Sequence, residues 1–94
     1  MKINVSDITG TYAIAFEHGQ KLHDLIYPEL INNTKVELDF SGIKLFGLNF
    51  LNHAIGQLLR DFPEEFINKN LVISNINPNG KKLLESVLNN ATQF

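Results

Sequence analysis

The 94-residue chain reads as one small α/β domain spanning residues 1–94. The expected architecture is a mainly parallel sheet of about three or four strands packed with about three helices. Two observations predict it. Strand-like and helix-like segments alternate in the order β-α-β-α-β-α, and the helical segments are long enough to cross over between parallel strands. The strand-like segments also differ in pattern. Residues 35–40 alternate apolar and polar, whereas Leu71-Val72-Ile73 is a continuous apolar run, as expected of a strand covered on both faces.

Each element has its own signal. Lys2-Ile3-Asn4-Val5 puts Ile3 and Val5 on one face of a short strand, and Ser6 to Gly10 is expected to turn. In the first helix Ala15, Gly19, Leu22 and Ile26 share a stripe with Leu25 beside it, while Glu17, Gln20, Lys21 and Asp24 face away. Ala15 and Gly19 are small and one turn apart, which would let this helix sit close to the sheet. Pro28 lacks an N–H and restricts Tyr27, so the helix is expected to end or kink there, with a turn at Asn32-Asn33-Thr34. The second strand sets Val36, Leu38 and Phe40 against Lys35, Glu37 and Asp39.

From about Leu48 a second helix holds Leu51, Ile55, Leu58 and Phe62 in one stripe, widened by Ala54 and Leu59, opposite Asn49, His53, Gln57 and Arg60. Pro63 closes this helix or opens a short further turn. Asn77-Pro78 starts the last helix, with Asn as cap and Pro where no N–H is needed. That helix is expected to bury Leu83, Leu84, Val87, Leu88 and Ala91 and to end near Thr92.

Composition removes several function classes. The net charge of -2, with Lys81-Lys82 the one basic doublet, offers no electrostatic attraction to nucleic acid or acidic membranes. Cysteine is absent, which excludes disulfides, thiolate catalysis and cysteine-ligated zinc. No signal peptide is evident, and no apolar run approaches the ~20 residues of a membrane span. The expectation is a soluble, cytoplasmic protein.

Chemistry-bearing motifs are sparse. Phe40-Ser41-Gly42 follows a strand, but neither GxxxxGK[ST] nor GxGxxG is present. Gly42 is expected to supply a turn with positive φ. Ser41 lacks a GxSxG elbow and any partner base evident from spacing, so Asp39 is read as a turn cap and not as a catalytic acid. His18 and His23 are five apart and do not share a helix face as a metal pair would. With His53 they are read as solvated surface residues, and no metal or cofactor is expected. The apolar stretch from Ile43 to Phe50 is the most informative feature. Phe50 lies about 100° from the centre of the second helix's stripe, given ~100° per residue. Phe46, Leu48 and Phe50 are read either as ordinary core packing or, as the sharper reading, as a partner-facing apolar patch.

LDFSGIKLFGLNFL leading into a helix resembles the strand–loop–helix signature of STAS domains, the fold of sulfate transporters and anti-sigma-factor antagonists. The chain is more similar still to compact bacterial STAS-like domains of unknown function, through its KINV strand, VELDFSGI, FLNHAIGQLLRDF and Ile76-Asn77-Pro78-Asn79-Gly80. In the antagonists the loop before the second helix resembles D-S-S-G, and one serine is phosphorylated by a partner kinase. Here Gly47, Leu48 and Asn49 occupy the Asp and two Ser positions, so the phosphorylation switch does not carry over; Ser41 is off-register for it.

The resulting expectation is a non-enzymatic regulatory module that binds another protein through Phe46, Leu48, Asn49, Phe50 and His53. The resemblance implies a partner such as an ATP-binding kinase of the sensor or anti-sigma type, and a patch of this kind also permits self-association. The alternative is a small-ligand or nucleotide binder using Asp39, Ser41 and Asn75 at the carboxyl ends of the strands.

Overall fold

A computed structural model describes residues 1–92, with side chains to residue 89. The chain runs β1 (Lys2–Asn4), α1 (Ser6–Thr9), β2 (Tyr12–Ala13), α2 (Phe16–Ile31), β3 (Val36–Asp39) and β4 (Leu45–Phe46). There follows a continuous helical rod: α3 (Leu48–Leu51), a π-helical stretch (Asn52–Gly56) and α4 (Leu58–Asp61). Then come α5 (Glu64–Asn70), β5 (Leu71–Ser74) and α6 (Pro78–Thr92).

The expected α/β architecture is present. β1, β3 and β5 form a parallel sheet in that spatial order, with Ile3 level with Leu38 and Leu38 level with Ile73. The chain therefore crosses the sheet in one direction. Right-handed crossovers then place both connections on the same face. Ile3, Val36, Leu38 and Leu71 are buried beneath the helices, while Lys2, Glu37 and Val72 form a row on the other face. Val72 is 46% exposed, so β5 is not covered on both sides as its apolar run suggested. A continuous apolar triplet reports burial of the strand's ends and core face, not of every residue.

A second, two-stranded parallel sheet pairs Tyr12 with Leu45 and Ala13 with Phe46. Sequence patterning did not reveal it, because two residues carry no periodicity.

α2 buries Gly19, Leu22, His23, Ile26 and Leu30. At ~100° per residue, His23 lies about 40° from the centre of that row and Leu25 about 120°. His23 is accordingly 8% exposed, against the solvated position expected for it, and Leu25 is exposed. Pro28 does not stop the helix. It removes one N–H near the end of α2, which continues three residues further to Ile31. Termination comes from Asn33, at φ 60°, with Thr34 N–H donating to the Glu29 carbonyl and Asn33 N–H to that of Leu30. This is a Schellman closure with Asn in the left-handed position.

Gly19 brings α2 close to the rod and not to the sheet: a Cβ built there would lie 2.5 Å from the Phe50 carbonyl oxygen. Pro63 both ends the rod's run and precedes α5. Asn77 caps α6 as expected, its Oδ1 accepting from Gly80 N–H at 2.7 Å. Its Nδ2 donates to the carbonyls of Ile43 and Lys44, which ties the helix start to the β4 approach. Leu84 and Val87 enter the core with Leu83 and Leu88 packed against it; the Ala91 side chain lies outside the described residues.

Candidate functional site

The segment from Tyr12 to Phe16 packs in an inverted way. Alternation along β2 turns Ala13 into the core, fully buried, and Tyr12, Ile14 and Phe16 outward. β4 repeats the arrangement, with Phe46 inward and Leu45 outward beside Tyr12. Gly47 follows in extended backbone, its missing Cβ leaving room for Ile14 at 3.2–3.4 Å. Leu48 then opens α3. Tyr12, Ile14, Phe16, Leu45 and Leu48 are each 48–55% exposed. They form one contiguous apolar face.

This face differs from the expected one. Phe46 and Phe50 were counted as contact residues, and both are core: Phe46 packs against the Phe40 ring at 5.6 Å and Phe50 is fully buried. The physical reason for Phe50 lies in the rod. At ~100° per residue Phe50 stands about 40° from Ala54, which is also buried, and the rod packs against both α2 and α6, so its buried arc is wide enough to take in Phe50. Leu48 and Asn49 remain exposed as expected, and His53 is half-buried. Tyr12, Ile14, Phe16 and Leu45 were missed. Their signal was the sequence Y-A-I-A-F, large residues alternating with alanines, which reads as a helix entry when the two-residue strand goes unseen.

His53 joins this face to a polar groove. Its Nδ1 lies 2.8 Å from the Asn49 carbonyl oxygen. A carbonyl only accepts, so this bond places a hydrogen on Nδ1 and leaves Nε2 as the free ring atom. The ring packs on Phe16 at 5.4 Å. Beyond it, Gln20 of α2 and Asn52, His53, Gln57 and Arg60 of the rod line a shallow groove of about 370 Å³. Gln57 Nε2 donates across it to Gln20 Oε1 at 3.2 Å, and Gln20 Nε2 donates to Asp24 at 3.0 Å.

The alternative trio, Asp39, Ser41 and Asn75, does come together at the carboxyl ends of β3 and β5. Asp39 Oδ1 accepts from Ser41 Oγ–H (2.6 Å), Ser41 N–H (2.9 Å) and Asn75 Nδ2 (3.1 Å). Lys2 Nζ stands 3.4 Å from Oδ2. The Ser41 hydroxyl and N–H, with Asn75 and Lys2, hold the Asp39 carboxyl well below the ordinary carboxylate range. Gly42 and Asn75 take left-handed conformations (φ 82° and 57°) that allow both turns to fold back on the carboxylate. The acceptor capacity of Oδ1 is consumed by the protein itself, so the cluster reads as a clasp between two strand ends.

The remaining histidines differ from their expected solvation. His18 Nδ1 and His23 Nδ1 are both buried without a hydrogen-bond partner, and His23 lies against Tyr27. Among the described residues no three His, Cys, Asp or Glu side chains cluster to hold a metal ion. No helix among them is long and apolar enough to cross a membrane.

The parallel three-stranded sheet, the β3–Gly42 turn and the helix opening at Leu48 match the family resemblance read from the sequence. A family model described as a STAS-like domain of unknown function matches residues 18–81. The chain belongs to that family. No curated protein and no solved structure matches it significantly. The matched span of this STAS-like domain runs from α2 to the first turn of α6. It includes Leu45, Leu48, the groove and the Asp39, Ser41 and Asn75 of the clasp, whereas Lys2, Tyr12, Ile14 and Phe16 lie before it.

Proposed function

We propose that this STAS-like domain is a non-enzymatic regulatory module that binds another protein. Docking uses the face of Tyr12, Ile14, Phe16, Leu45 and Leu48, with Asn49 and His53 at its margin. One observation carries the reading: a small domain with limited core-forming material turns Ala13 inward and three large apolar side chains outward along a single segment. The largest apolar patch of a monomeric domain is often a functional one. Gly47, Leu48 and Asn49 bring no hydroxyl to the head of α3, which favours an apolar contact over one governed by phosphate. The partner class is proposed by analogy with anti-sigma-factor antagonists alone: an ATP-binding kinase of the sensor or anti-sigma type.

Affinity purification from the native host, run in parallel with wild type and an Ile14→Asp/Leu48→Asp double variant, tests this. Both positions are exposed, so the variant should keep its fold, verified by circular dichroism. A protein captured by wild type, lost by the variant, and rebinding wild type when purified supports the reading. The same captured proteins on a folded double variant would overturn it.

A further inference from the structure

We infer that the groove between α2 and the Leu48–Asp61 rod receives an acidic side chain of the partner, presented next to apolar anchors that seat on the exposed face. This rests on the docking reading above and names the chemistry of its partner. Five side chains at half exposure offer roughly 500 Å², taking ~150–250 Å² for each large side chain. A standard interface covers about 800 Å² per partner, so the contact must extend onto adjoining surface. The Phe16–His53 ring contact makes the groove continuous with the face.

Charge then specifies the occupant. None of the groove's lining residues is acidic, and one is Arg60, the chain's single arginine. Arg60 is exposed and forms no ion pair or side-chain hydrogen bond among the described residues, where Lys2–Asp39 is the one salt bridge. Asn52 likewise spends no side-chain hydrogen bond among them. Gln20 and Gln57 are engaged with each other, which fixes the groove's walls. Acids line neighbouring grooves and not this one: Glu17 and Asp24 with Gln20 and Phe16, and Asp24 and Asp61 with His23 and Tyr27. Asp24 is already engaged by Gln20. An unpaired guanidinium beside an amide donor is matched to a carboxylate, which it can hold through two parallel N–H bonds.

The test uses three synthetic 12-residue amphipathic peptides with identical apolar residues and Glu, Gln or Lys at the flanking polar positions. Each is titrated into the ¹⁵N-labelled domain, followed by amide and arginine side-chain shifts. The Glu peptide is expected to bind at least about threefold more tightly than the Gln peptide and to shift the Arg60 side chain. Arg60→Glu, a surface change that leaves the core intact, should reverse the order so that the Lys peptide binds best. Affinities indifferent to charge, with shifts at Tyr12, Ile14 and Leu48, would overturn this inference and leave the docking reading standing. No shift with any peptide would count against both. Concentration-dependent shifts on the same face without peptide would make a second copy of the chain the occupant, and would overturn the acidic partner.

Discussion

Gly19→Ala has a sign that depends on one close approach. A Cβ at residue 19 would lie 2.5 Å from the Phe50 carbonyl oxygen, 3.0 Å from His53 Cβ and 3.2 Å from the Phe50 carbonyl carbon. The nearest obstacle is main chain, and no rotamer change moves it. α2 and the rod must separate by 0.5 Å to bring 2.5 Å up to the 3.0 Å that real contacts barely tolerate. Overpacking of this sort costs about 1–3 kcal/mol, and a backbone obstacle belongs at or above the upper end. Against it stands a gain of about 1 kcal/mol in helix propensity. The expected net loss is about 2 kcal/mol, or roughly 8–16 °C in Tm for a domain of this size. Thermal melts by circular dichroism measure it. An unchanged or raised Tm would refute the reasoning, since an uncrowded helical glycine gains stability on becoming alanine.

Three further outcomes are expected. Phe50→Ala should cost about 3–5 kcal/mol in urea unfolding, because the ring is fully buried, while Leu48→Ala at its half-exposed site should change stability by less than about 1 kcal/mol; similar costs would mean that Phe50 is not core. Gly80→Ala would bring a Cβ to 2.5 Å from the Phe46 ring and 2.9 Å from Ile76, so it should lower Tm, though less than Gly19→Ala because side chains and not main chain must give way. Asp39 titrates below its unfolded value, so its contribution is present above the ordinary carboxylate range and is lost as pH falls through and below it. Wild type should therefore lose more Tm between about pH 5 and pH 3 than Asp39→Asn does, and equal losses would show that the clasp adds nothing.

Much of the fold was legible because single residues carried mechanisms. Asn77-Pro78 could only start a helix economically, Gly42 marked a positive-φ turn, and Asp39 was suited to cap it; the structure places all three so. The parallel sheet followed from the order of segments. What failed to show had no periodic signature or broke an assumed one. β2 and β4 are two residues each, too short to alternate visibly. Phe50 was placed on the exposed side because the stripe was centred on Leu51, Ile55 and Leu58, whereas the rod packs on both α2 and α6 and buries a wider arc. His23 was missed because the stripe of Ala15, Gly19, Leu22 and Ile26 was extended toward Leu25, whereas the buried arc extends the other way, through Leu30 to His23. Both bear on the site: one put Phe50 on the surface, where the structure buries it, and the other hid the Y-A-I-A-F alternation behind a presumed helix start.

The docking claim is tested most directly in the native host by a photo-crosslinking amino acid, p-benzoylphenylalanine, placed at Leu48, at Ile14 or, as a control, at Val72. All three positions are about half exposed and apolar, and they differ in the face they occupy. Leu48 and Ile14 should give one shared protein adduct, and Val72 none. An adduct from Val72 alone, or none from Leu48 and Ile14, would contradict the docking claim.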